Sequence, residues 1–283
     1  MATTRKTRTT KTPAKPRYRT VWISDVHLGT IGCKAHHLVD FLKQTDCETL
    51  YLVGDIIDGW KLRNTFYWPQ EHTNVVRKIL TKSKRGTKVY YVTGNHDEFL
   101  RKFVGFELSL GNIKVVNEHV HTTADGRQLL VTHGDAFDVI TRYHKWIAMA
   151  GDVAYEGAMR FNYWFNRGRN AMGMRYWSLS AFAKQRVKAA VNVVSTFEDS
   201  VARECERRGL DGVVCGHIHH AEIAERHGVT YHNCGDWVES CTALAEDFNG
   251  RIEIIRWVEL DHLHQRDDGK VMPLRPAARA AAG

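Results

Sequence analysis

A chain of 283 residues that is 43% hydrophobic is long enough to bury a substantial core, as one large domain or two small ones. It holds no run of about 18 apolar residues and no apolar signal segment, so neither a membrane-spanning helix nor export is expected, and the predicted compartment is cytoplasmic. The formal charge of +8 would suggest nucleic acid if it covered a folded surface, but residues 1–19 hold Arg5, Lys6, Arg8, Lys11, Lys15, Arg17 and Arg19 with no acid, residues 261–283 carry a small positive excess, and the stretch between them is neutral.

Residues 1–19 are too poor in apolar side chains to pack and are expected to form a disordered basic tail, drawn weakly to anionic membrane surfaces as readily as to nucleic acid. No specific nucleic-acid partner is expected. Residues 20–260 are expected to form one folded domain, and 261–283 a flexible C-terminal tail.

Three early segments are short, apolar and β-branched, and each ends in polar residues: Val21-Trp22-Ile23 before Ser24-Asp25, Leu50 to Val53 before Gly54-Asp55, and Val89 to Val92 before Gly94-Asn95-His96-Asp97. Buried strands read this way. Helical stretches lie between them, around Ala35 to Gln44 and His72 to Lys82, and this β-α-β-α-β order predicts a central sheet covered by helices, an α/β fold. Further strands are expected at Gln128 to Thr132, Gly212 to Cys215 and Val229 to Cys234. Cys241 to Ala245 and Ile252 to Trp257, flanking Asn249-Gly250, read as a hairpin. The six cysteines contain no C-x-x-C pair and are expected to be reduced and mostly buried.

Residues 137–205 read as a helical insertion, a lid, with aromatics such as Phe161, Trp164 and Phe165 spaced along one helical face. From Gly157 to Phe197 there is no acid, while Arg160, Arg167, Arg169, Arg175, Lys184, Arg186 and Lys188 are present. That run is either a solvated helix face or a surface that binds a polyanion.

The blocks that carry chemistry are Asp25-Val26-His27, Gly54-Asp55, Gly94-Asn95-His96-Asp97, His133-Gly134-Asp135 and Gly216-His217-Ile218-His219. Singly, each could be a turn or a cap. In succession, each closing an apolar strand, they could deliver oxygen and nitrogen ligands from several strand ends to one place.

Their order resembles the calcineurin-like metallophosphoesterases, whose pattern is D-x-H, GD, GNH[DE], H and GHxH, over about residues 20 to 260. The resemblance implies two packed β-sheets flanked by helices (αββα). It also implies that Asp25, His27, Asp55 and His219 hold one metal, that Asn95, His133 and His217 hold the other, and that Asp55 bridges both. Two cations about 3.5–4 Å apart can clamp the attacking and leaving oxygens of a phosphoryl displacement and lower the pKa of water held between them. Mixed imidazole, carboxylate and amide ligands suit manganese, iron, zinc, cobalt or nickel, with manganese implied first by the family. His96 would meet the phosphate and protonate the leaving oxygen, and Asp97 would either orient the His96 ring or cap the following helix.

Within that superfamily, the insertion, Gly54-Asp55-Ile56-Ile57-Asp58-Gly59-Trp60 and Gly235-Asp236-Trp237-Val238-Glu239-Ser240 are most similar to the UDP-2,3-diacylglucosamine diphosphatases of the lipid A pathway. This implies an amphiphilic nucleotide-lipid substrate cleaved to UMP and a diacylglucosamine 1-phosphate, and peripheral association with the inner face of the cytoplasmic membrane. Lys184, Lys188, Arg160, Arg167 and Trp60 are the candidate substrate contacts. Where the best-known branch has arginine after the asparagine, this chain has His96, the general phosphodiesterase pattern. Another nucleotide diphosphate, a phosphodiester or a phosphorylated lipid therefore stays open as substrate, and a non-catalytic binding module is the reading from another class.

Overall fold

Alternation along the strands divides this chain into layers. In β1 (Arg17–Ile23) and β2 (Asp46–Val53), Val21, Ile23, Leu50 and Leu52 join a cluster with the helices, whereas Trp22, Tyr51 and Val53 join the opposite cluster. Successive side chains of a strand point to opposite faces, and here both faces are apolar, so each strand is covered on both sides. The computed structural model describes residues 15–105, 113–137 and 180–258, with side chains of the last span described from residue 194 onward.

The first sheet has the order β11-β10-β1-β2-β3-β4, with β3 at Lys88–Val92, β4 at Ile113–Val116, β10 at Thr242–Glu246 and β11 at Ile252–Arg256. Strands β1 to β4 are parallel, and β10 and β11 form the expected antiparallel hairpin against β1. The second sheet runs β5-β6-β7-β9-β8, with β5 at Glu118–Thr122, β6 at Gln128–Thr132, β7 at Gly212–Cys215, β8 at Glu222–Arg226 and β9 at Val229–Asn233. Trp22, Tyr51, Val53 and Val92 of the first sheet meet Leu129, Val131 and Val214 of the second in one dry layer.

Helices cover the outer faces. α1 (Ala35–Gln44) and α3 (Gln70–Lys84) bury Leu38, Phe41, Val75 and Ile79 on the first sheet. The short α2 (Gly59–Asn64) buries none of its residues and starts at Asp58, whose carboxylate accepts from the Lys61 N–H at 2.8 Å. On the far side, α4 (Ser180–Arg207) lays Phe197, Val201, Ala202 and Cys205 on Leu130, Val213 and Tyr231. The result is the αββα arrangement expected.

Two boundaries move. Arg17 and Arg19, placed in the disordered tail by composition, belong to β1. Its backbone pairs with β2 from Arg17↔Asp46, and Arg19 reaches the fully buried Glu246 at 2.8 Å. The insertion, expected to run to residue 205, gives way earlier to the core, because Phe197 to Cys205 recur at helical spacing on the buried side of α4. Residues 1–14, 138–179 and 259–283 lie outside the described residues, and with them most of the expected lid and both terminal tails. The six cysteines are unpaired, and four of them are buried. Among the described residues, no helix is long and apolar enough to cross a membrane.

At the edge of the sheets where β1 begins, Glu246 ties the two layers together. It accepts from Arg19 and from the backbone N–H of Ala124, and its Oε2 lies 3.0 Å from His121 Nε2, while Tyr51 Oη sits 3.2 Å from the other nitrogen of that ring. Burial opposes its charge, yet the bonds from His121, Thr20 and Ala124 hold the Glu246 carboxyl below its ordinary value. A depressed folded-state value contributes stability above the unfolded pKa that is lost as pH falls through the folded one. Replacing Glu246 with Ala strands the Arg19 guanidinium, and urea unfolding at neutral pH is expected to show a loss of about 3 kcal/mol, shrinking on the acid side.

Candidate metal centre and its neighbours

The five sequence blocks lie at the carboxyl ends of five parallel strands. Asp25 and His27 follow β1, Asp55 follows β2, Asn95 and His96 follow β3, His133 follows β6, and His217 and His219 follow β7. Because both sheets end on the same side, their loops meet there.

The backbone bends sharply to achieve this. Asp25, His27, Asp55, His217 and His219 have φ of 50°, 53°, 53°, 71° and 56°, a left-handed conformation that costs L residues about 1–3 kcal/mol each in bulky or strained contexts. Among the described residues only two other non-glycine positions share it. Glycines then leave room for the side chains. A Cβ on Gly94 would fall on Asp55 Oδ1, one on Gly216 on Asp25 Oδ2, and one on Gly54 on the His133 ring.

Six of the seven expected ligands fall into two clusters. Donor atoms of Asp25, His27 and His219 gather within 4.8 Å of one another, as do those of Asp55, His133 and His217. Asp55 Oδ2 stands between the groups, 4.0 Å from His27 Nε2 and 3.4 Å from His133 Nε2, and His219 Nε2 is 3.3 Å from Asp25 Oδ1. His133 is fully buried with its Nδ1 3.1 Å from the Val53 carbonyl oxygen, a partner that turns Nε2 inward.

Four buried atoms, Asp25 Oδ1, His27 Nε2, Asn95 Oδ1 and His133 Nε2, make no hydrogen bond. Unpartnered buried polar atoms are costly, and those of Asp25, His27 and His133, set in the two clusters of donors, fit divalent cations. The electrostatics agree. Burial disfavours the Asp55 and Asp25 carboxylates, yet His133, His96 and His27 hold the first well below the usual range, and His219 with His133 lowers the second. Burial likewise opposes charge on the His133 ring, but Asp55 and Asp25 carry it up to about 10. These are carboxylates built to face positive charge.

Asp97 departs from expectation. It neither reaches the His96 ring nor caps the following turn. Fully buried, it accepts from the backbone N–H groups of Ile56 at 2.9 Å and Gly94 at 2.6 Å and from the Tyr91 hydroxyl at 2.7 Å, so it locks the Asp55 loop to the Asn95 loop. Burial pushes its pKa up against the Tyr91 bond, with Asp55 adding to the rise. The chain turns at His96 and Asp97, and the Asp97 carboxylate comes back to the Gly94 N–H.

The carboxylate at the His96 ring is Asp58. Its Oδ1 lies 3.1 Å from His96 Nδ1, its Oδ2 3.3 Å from His27 Nδ1, and it also caps α2. Burial again opposes the charge, but the two rings and the Lys61 N–H hold Asp58 far below the ordinary value. One carboxylate thus faces two imidazoles, hydrogen-bonded to His27 and in ion-pair contact with His96, and both Nε2 atoms face Asp55, that of His96 at 3.8 Å. The signal is in the sequence, since Asp58 is the acid of the Gly54 to Trp60 block.

Trp60 packs on the other side of His96, with ring centroids 4.3 Å apart, and its Nε1 donates to Glu98 at 3.3 Å. Arg101 joins the loops of Asn95 and His133, donating to the Gly94 carbonyl and to Asp135 at 2.6 Å. Of the other expected substrate contacts, Arg160 and Arg167 lie outside the described residues, and Lys184 and Lys188 lie on α4 before its side chains are described.

The chain is similar in sequence to known proteins. Residues 18–221 fit the family model of the calcineurin-like phosphoesterases. That match spans well over half of the chain, and it places the protein in this family, as a metal-dependent phosphoesterase. Its similar curated proteins include a UDP-2,3-diacylglucosamine hydrolase of Chromohalobacter salexigens, 28% identical over 73% of this chain and 82% of that one. Another, from Aliivibrio fischeri, is 22% identical over 79% of this chain and 92% of its own. A solved archaeal phosphodiesterase aligns over 83% of this chain and 98% of its own, at 13% identity and a TM-score of 0.41.

Gly94→Ala is expected to displace the Asp55 carboxylate and reduce bound metal severely while circular dichroism shows an intact fold. Asp58→Ala frees both rings at once and should lower kcat by about 10–100-fold. Metal analysis beside steady-state kinetics checks both.

Proposed function

We propose that the protein hydrolyses the diphosphate of UDP-2,3-diacylglucosamine, yielding UMP and 2,3-diacylglucosamine 1-phosphate. The convergence of two donor sets on the shared Asp55 carboxylate carries the phosphoryl-transfer part of this reading. The substrate rests on the relatives, which bear that name at 21–28% identity.

In this reading Asp25, His27, Asp55 and His219 hold one cation, and Asp55, Asn95, His133 and His217 the other, with manganese first and iron, zinc or cobalt able to serve. Two such ions would supply Lewis acidity and a more acidic water. The protein's own groups do the rest. Asp55 is set by the His96 backbone N–H, which donates to its Oδ1 at 2.8 Å and anchors the shared carboxylate to the loop that carries His96. His96, steadied by Asp58, meets the phosphate and passes a proton to the oxygen that leaves phosphorus. Trp60, against His96, offers a face to the substrate beside the scissile bond. Lys184, Lys188, Arg160 and Arg167 remain candidates for the diphosphate, and an amphiphilic substrate implies work at a membrane surface.

A second reading, hydrolysis of a phosphodiester, is favoured by His96 itself, since a positioned imidazole suits a leaving alkoxide better than a leaving phosphate.

Asp55→Ala is expected to abolish turnover with loss of both metal equivalents. His96→Ala should cost about 100-fold in kcat while bound metal is retained. The substrate is tested by mass spectrometry of products with UDP-2,3-diacylglucosamine and manganese. UMP is the expected product, and cleavage of bis(p-nitrophenyl) phosphate with the nucleotide lipid left intact would sink the first reading in favour of the second.

A further inference from the structure

Nine large hydrophobic side chains are exposed among the described residues, and five of them, Ile31, Trp60, Phe66, Tyr67 and Phe99, lie on segments grouped around α2 beside the metal centre. Ile31 and Phe66 are 83% and 79% exposed, more than a folded surface ordinarily leaves for such side chains. Contacts draw the segments together. Gly29 sits against Leu62 of α2 and its N–H donates to His72 at 3.1 Å, whose ring in turn lies edge-on to Tyr67. Phe99 packs against Gly59 at the start of α2, and Trp60 covers His96.

Charge accompanies this apolar rim. Residues 29–37 and 59–69 contain Lys34, Lys61 and Arg63 and no acid, and residues 98–103 add Arg101 and Lys102 against the single acid Glu98. With Arg101 tied to Asp135, the rim keeps Lys34, Lys61, Arg63 and Lys102 against Glu98 and the adjoining Glu71, a positive excess.

We infer that this rim, α2 with the loops of Ile31, Phe66 and Phe99, is the surface by which the protein sits on an anionic lipid bilayer, holding the metal centre at the height of the headgroups. The inference rests on the lipid-substrate reading above and adds the place of contact. Aromatic and aliphatic side chains mixed with lysine and arginine match the interface of a bilayer, where rings settle at headgroup depth and cations meet phosphate. A protein partner fits less well, because lysine is depleted from the centres of protein interfaces. The basic N-terminal segment is a competing site for lipid that the test must separate: it joins β1 at Arg17, whereas Asp25 follows the other end of that strand.

The test uses the full chain, sedimented with vesicles of phosphatidylglycerol and phosphatidylcholine, beside the Ile31→Ser/Phe66→Ser double variant and a chain lacking residues 1–14. The double variant is expected to lose vesicle affinity at least about tenfold, and to lose a like factor in kcat/KM on vesicle-borne UDP-2,3-diacylglucosamine. Its cleavage of bis(p-nitrophenyl) phosphate in water should stay within about twofold of wild type, which also reports an intact fold. The truncated chain should keep rim-dependent binding at 0.5 M salt, where apolar insertion persists and purely electrostatic attraction is screened. Vesicle binding that survives the double substitution, or that vanishes with residues 1–14 alone, would overturn the inference. So would a concentration-dependent dimer in sedimentation velocity that the double variant abolishes, since the rim would then face a second copy. If vesicle binding depends on the rim while the nucleotide lipid stays uncleaved, the docking surface stands and the substrate reading fails.

Discussion

Asp55 is a nearly fully buried carboxylate at the line where two sheets end together, and much of the surrounding structure serves to keep its charge there. A lone carboxylate in that position would cost several kcal/mol in lost solvation. His27, His96 and His133 surround its Oδ2, the His96 N–H holds its Oδ1, and its own backbone sits at φ 53° to aim it inward. Gly54 and Gly94 bear no side chain because the carboxylate and the His133 ring occupy the space. Five left-handed turns at the ligand positions store strain that the packed sheets beneath must offset.

The sheets can do so because they are dry on their shared face and covered outside. Trp22 and Tyr51 stack between the layers, and the helices seal Leu38, Phe41, Phe197 and Val201 against the outer faces. At the edge of the sheets where β1 begins, Glu246, Arg19, His121 and Tyr51 pin the layers through buried polar contacts. One edge thus holds a satisfied ionic network and the other an unsatisfied one. The unsatisfied edge is the one whose donor atoms gather as cation ligands would.

The legibility of this arrangement varied with the range of the interaction. The helix at Ala35 to Gln44 and the strands ending at Asp25, Asp55 and Asn95 were plain, because their apolar periodicity is strong and uninterrupted. β4, β5 and β8 went unseen: they are short, carry Lys114, Glu118, His119, Glu222 and Glu225, and take their strand character from neighbours in the sheet. Arg17 and Arg19 read as tail by composition and proved to be strand, since pairing with β2 and Glu246 outweighs their polarity. Asp97 looked like the partner of the adjacent His96, yet proximity in sequence says little where the chain turns. Asp58, 38 residues from His96 along the chain, holds the ring instead.

The residue types at the strand ends, and so the class of chemistry, are legible in the chain alone, because D-x-H, GD, GNH, H and GHxH specify hard and borderline ligands in a family order. How they work together arises from contacts between distant segments. Asp55 faces both donor sets, Asp58 serves two rings at once, Asp97 fastens two loops, and exposed rings collect around α2 beside the site. Those are consequences of parallel strands from two sheets ending on one side, a relation between segments that no local pattern of residues encodes.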